Sequence, residues 1–154
     1  MILTKTSLTL LLLSLLISGC GLNEKTKRDP DLAIEGYNPP KFRISGQGKL
    51  DSITVSGPDK ERKQPEGDAA PYRKEYWVIM PKEEYDLSHF KELGLLIYGQ
   101  TPEVFKQWVP QMGEVQPLIE GETYSVQLRT KDGPAVSRFF VLRDGKIIAT
   151  GDGS

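Results

Sequence analysis

Few side chains in this 154-residue chain are equipped for chemistry, and two of them are the only ones of their kind, Cys20 and His89. His89 lies in "DLSHF" beside Asp86 and Ser88. A nucleophile, its base and the group that orients the base must converge from different directions. Residues this close in sequence seldom do so, and no G-x-S-x-G elbow accompanies them. A zinc site would have to be built mostly of carboxylates, an unusual ligand set. "DPDLAIEG" lacks the spacing of a calcium loop, and Glu83-Glu84 are two among many scattered acids, with nothing to single out a glycosidase pair. The residues therefore predict no catalytic group, no metal and no cofactor, and the expectation is that the protein is not an enzyme.

Cys20 is different, because of what precedes it. Lys5 is the only charged side chain before Glu24, and Leu8 to Ile17 is apolar except for Thr9 and Ser14. About ten residues is half of what a membrane span needs, but it suits the apolar core of an export signal. The closing Ile17-Ser18-Gly19-Cys20 resembles the lipobox of bacterial lipoproteins. That resemblance implies a signal peptide over residues 1–19, cleavage before Cys20, and a diacylglycerol with a further acyl chain (palmitate or similar) on the cysteine. Stable anchoring takes more than one acyl chain, and this arrangement supplies it. Gly21, where inner-membrane lipoproteins of this kind carry aspartate, implies an outer-membrane anchor facing the periplasm.

Beyond the leader about 135 residues remain, enough for one domain with its own core. Loss of Lys5 leaves nineteen basic against twenty-one acidic side chains. That balance argues against nucleic acid as a partner, which calls for a concentrated basic face. With Cys20 acylated there is no disulfide, so packing must supply the stability. Residues 20–40 are charged and end in Pro-Pro, and they read as a lipidated, flexible tether, although Leu32, Ile34 and Tyr37 offer a way to dock its second half.

From residue 41 to 152 the pattern is mainly period two, as expected for a single β-sandwich domain. "KFRIS" and "DSITVSG" alternate, and Leu50 is out of phase, which predicts a bulge or bend. "YRKEYWVIMP" is apolar on both faces, with Trp77 the natural core tryptophan. "YSVQLRT" alternates cleanly, and "RFFVLRDGKIIAT" predicts a hairpin turning at Asp144-Gly145. Two short helices are expected. One turn ends at Gly94, and about two turns lie in "TPEVFKQWVP", with Thr101 as cap and Pro102 in the first position.

"LIEGETYSV" resembles the tyrosine corner of fibronectin type III and immunoglobulin-like domains, through Leu118, Gly121 and Tyr124. The resemblance implies an all-β, immunoglobulin-like or fibronectin type III-like sandwich of about seven strands. Val126 stands where antibody domains carry a cysteine, so the antibody type itself is excluded. The wider pattern is Tyr98-Gly99 with Pro102, then Pro117-Leu118 with Gly121 and Tyr124, then Phe140 to Lys146. It resembles a group of small Gram-negative lipoproteins, some of which are regarded as immunity proteins against type VI secretion toxins. That implies a membrane-anchored, non-catalytic protein-binding module with a toxin as partner. A structural or assembly lipoprotein of the envelope is the alternative. Candidate partner-binding residues are the aromatics Tyr98, Phe105 and Trp108, the residue class favoured as interface anchors. The competing expectation is that their segment, as a helix, lids the Trp77 strand.

Overall fold

The computed structural model describes residues 29–63, 66–67 and 70–152. The leader and Cys20 lie outside them. The fold is an all-β sandwich of two antiparallel sheets. In chain order the strands are β1 (Asp31–Glu35), β2 (Lys41–Ser45), β3 (Leu50–Pro58), β4 (Arg73–Pro81), β5 (Leu96–Ile97), β6 (Phe105–Val109), β7 (Thr123–Thr130), β8 (Val136–Arg143) and β9 (Lys146–Asp152). A 3-10 turn (Leu87–His89) runs into a single helical turn, α1 (Phe90–Leu93), ending at Gly94 as expected. One sheet has the order β1-β2-β5 and the other β6-β4-β3-β7-β8-β9. Among the described residues the nine strands divide six and three, an uneven split compared with the four and three of an immunoglobulin constant domain.

Alternating residues explain the core. Ile53 and Val55 of β3, Trp77 and Ile79 of β4, Tyr124, Val126 and Leu128 of β7 and Phe140 and Leu142 of β8 all enter one buried cluster. Leu32, Phe42 and Ile44 close it from the small sheet. The phase change at Leu50 is a bulge, since the β3–β7 register shifts between Leu50 and Ser52. A bulge accounts for one of the additional apolar residues of β4. Val55 pairs with Trp77 but Ser56 with Glu75, so Tyr76 is the extra residue. It packs edge-on against Tyr124 at 5.4 Å and donates its hydroxyl to the Pro58 carbonyl. Val78 and Met80 are left on the outer face, apart from the core cluster.

Two expectations need correction. Residues 31–35, within the expected tether, form β1, which pairs along its length with β2. Leu32 is buried in the core, and Arg138 holds Asp31 at 3.2 Å. The period-two signal there is cut short by Gly36 and the prolines that follow. The helix expected in "TPEVFKQWVP" is instead the edge strand β6, paired with β4. An isolated two-turn helix is marginal, whereas the free edge of β4 offers a ladder to a segment rich in valine and aromatics. The Phe105 ring then fills the core beside Tyr85 and Phe90, at 5.3 and 5.9 Å. The segment therefore extends the sheet at its edge and does not lid the face of β4.

The corner has the geometry its residues predict. The Ile119 amide donates to the Tyr124 hydroxyl at 2.8 Å, Leu118 is buried, and Gly121 takes a positive φ of 79°. Burial pushes the Tyr76, Tyr98 and Tyr124 hydroxyls above the ordinary phenol value. In the unfolded chain these groups ionise near pH 10, while in the folded domain they stay protonated. Their contribution is complete below about pH 10 and is lost as pH rises through the raised folded values. The melting temperature should therefore fall above about pH 10. Tyr98→Phe should shallow that fall in a pH series of thermal melts.

Candidate binding face

Asp86 and His89 make local structural contacts, while Cys20 lies outside the described residues. The Asp86 carboxylate caps the 3-10 turn by accepting from the Ser88 amide at 2.9 Å, which holds its carboxyl below the usual range. The exposed His89 ring rests edge-on against Tyr85 at 5.8 Å. No group of three or more His, Cys, Asp or Glu among the described residues is placed to hold a metal ion. No described helix is long and apolar enough to cross a membrane.

The three candidate aromatics do not come together on the surface. Tyr98 and Phe105 are buried, the first stacked edge-on to Trp77 at 5.7 Å with its hydroxyl donated to the Gln116 carbonyl. Trp108 alone is presented, at 50 % exposure. Its position comes from a register shift. Ile79 pairs with Gln107 and Val78 with Val109, so Trp108 is the unpaired residue of a bulge on β6. Bulges re-aim side chains in this way. Gln107 fixes the neighbouring loops, accepting from Thr101 Oγ1 at 3.2 Å and donating to the Pro110 carbonyl at 2.9 Å.

Trp108 borders a shallow trough of about 340 Å³ on the outer face of the six-stranded sheet. The short side chains of Ser52, Thr54 and Ser56 line it along β3. One side is raised by Val78, Met80 and Trp108, and the other by Gln127 and Arg129 of β7. Asp51 and Glu75 add carboxylates. Gln127 is steadied by Ser137, 3.2 Å away, whereas Arg129 makes no ion pair among the described residues. Lys106 stands 5.6 Å from the Trp108 ring centre. The trough depends on strands distant in sequence, so no local pattern announced it.

The charged segment after β3 is held at the opposite end from Asp29. Lys60 pairs with Glu122, Lys74 with Glu61 at 2.9 Å, and the Arg62 guanidinium lies 3.6 Å over the Tyr72 ring. Comparison of the chain with protein-family models, with curated proteins and with solved structures finds no match. What stands is the class: a disulfide-free antiparallel sandwich closed by a tyrosine corner, with a polar trough on its larger sheet.

Proposed function

We propose that the protein is a lipid-anchored lipoprotein whose sandwich faces the periplasm as a non-catalytic protein-binding module, and that its partner is a toxin it neutralises. The observation that carries this reading is the apolar run ending in Ile17-Ser18-Gly19-Cys20, with the chain's only cysteine in the last position. Nine residue steps lead from Cys20 to Asp29. At about 3.3–3.6 Å each they reach roughly 30 Å at most. Asp29 packs against Gly46 at the end of the sandwich opposite the tyrosine corner. The corner end, with exposed Tyr37 and Ile119, would therefore point away from the bilayer and offer apolar anchors to a partner.

The anchor is tested by Cys20→Ser. The native protein should fractionate with membranes and incorporate labelled palmitate, and the variant should do neither. A variant that stays membrane-bound at its usual size, with no label in the native form, ends the reading. The partner is tested by expressing the lipoprotein in cells exposed to periplasmic toxins. Lack of protection against any of them removes the toxin while leaving the anchor standing.

A further inference from the structure

We infer that the trough on the outer face of the six-stranded sheet is a binding site for a neutral oligosaccharide, with Trp108 as its stacking platform. This goes beyond the anchored-module reading and does not depend on it. Every strand beside the trough is paired on both edges or, for β6, on the edge facing it. The ladder therefore occupies the backbone groups beneath the trough, and a ligand lying across it is recognised by side chains alone. An extended peptide gains its affinity from backbone pairing at a sheet edge, which this face cannot give.

The side chains match a sugar in kind. Pyranose rings present C–H faces and a rim of hydroxyls. The C–H groups suit the negative face of an indole, and Trp108 is half exposed beside the apolar Val78 and Met80. Hydroxyl pairs suit groups that donate or accept in a fixed plane, here Gln127, Arg129, Glu75 and Asp51. Ser52, Thr54 and Ser56 give a low hydroxylic floor that spans four residue steps, roughly 13 Å at about 3.3 Å per residue. That length suits a short run of sugars. A polyanion is disfavoured, because Asp51 and Glu75 oppose Arg129 within the trough.

The two tryptophans make the test direct, since Trp77 is fully buried and Trp108 half exposed. Full-length protein in detergent micelles is titrated with the β-1,4-linked tetramers of N-acetylglucosamine and of glucose, and with the α-1,4-linked glucose tetramer, following tryptophan emission and binding heat. At least one probe should bind saturably. Trp108→Ala should weaken that binding tenfold or more without lowering the melting temperature. Gln127→Ala and Arg129→Ala, both on the other wall, should each weaken it about tenfold, as expected for a lost polar contact. No saturable binding by any of the three, or binding unchanged in Trp108→Ala and Arg129→Ala, overturns the assignment.

Discussion

Trp77→Ala should be among the most damaging single changes in the domain. The indole is fully buried, stacked on Phe42 at 6.4 Å and met edge-on by Tyr98. Truncating a buried tryptophan costs about 3–5 kcal/mol, against a total of roughly 5–15 kcal/mol for a domain. The melting temperature should fall by roughly 10 °C or more, and urea unfolding followed by circular dichroism should show the same loss. Trp77→Phe should cost less. It keeps a ring in place, and it removes an Nε1 donor that finds no hydrogen-bond partner inside the protein. If the alanine variant melts like the native protein, the sandwich is not packed around this residue.

Gly57→Ala should also destabilise the domain clearly, although it adds a single methyl group. Gly57 lies in β3 under the tyrosine corner. A Cβ there would stand 2.4 Å and 2.6 Å from Tyr124 ring atoms and 2.8 Å from the Tyr76 ring. Neither ring can step aside freely, because the Tyr76 hydroxyl is bonded to Pro58 and the Tyr124 hydroxyl to Ile119. Overpacking of this kind costs about 1–3 kcal/mol, occasionally more. Thermal melts should show the loss, and the added cost of Gly57→Ala should be smaller in a Tyr76→Ala background, which removes one of the two opposing rings. A neutral Gly57→Ala would mean that the two rings do not meet over β3.

Much of this architecture was legible in the sequence where local and tertiary preferences agree. The clean alternation of β7, the Asp144-Gly145 turn of the β8–β9 hairpin and the corner at Leu118, Gly121 and Tyr124 each carry their own signal. Leu50 even announced its bulge by falling out of phase. The failures came where a partner decides. β1 is a strand because β2 lies beside it, and β6 because β4 has an edge to fill. The same limit hid the trough on the outer face of the larger sheet. Trp108 was legible as a candidate anchor but not its direction, which a bulge sets, and Tyr98 and Phe105 went inward with the packing. The trough joins β3, β4, β6 and β7, whose nearness no single stretch encodes.

The docking of β1 has a mechanical consequence. The chain enters at Asp29, and β1 then runs antiparallel to β2 through five paired residues, from Asp31 opposite Ser45 to Glu35 opposite Lys41. Tension arriving through residue 29, with the far end of the domain held, pulls β1 lengthwise. The rungs of the β1–β2 ladder lie across that pull and share the load together, as in a lap joint, instead of parting one by one like a zipper. Arg138 adds a contact to Asp31 at 3.2 Å beside that ladder, so a pull applied there would load β1 and β2 in shear.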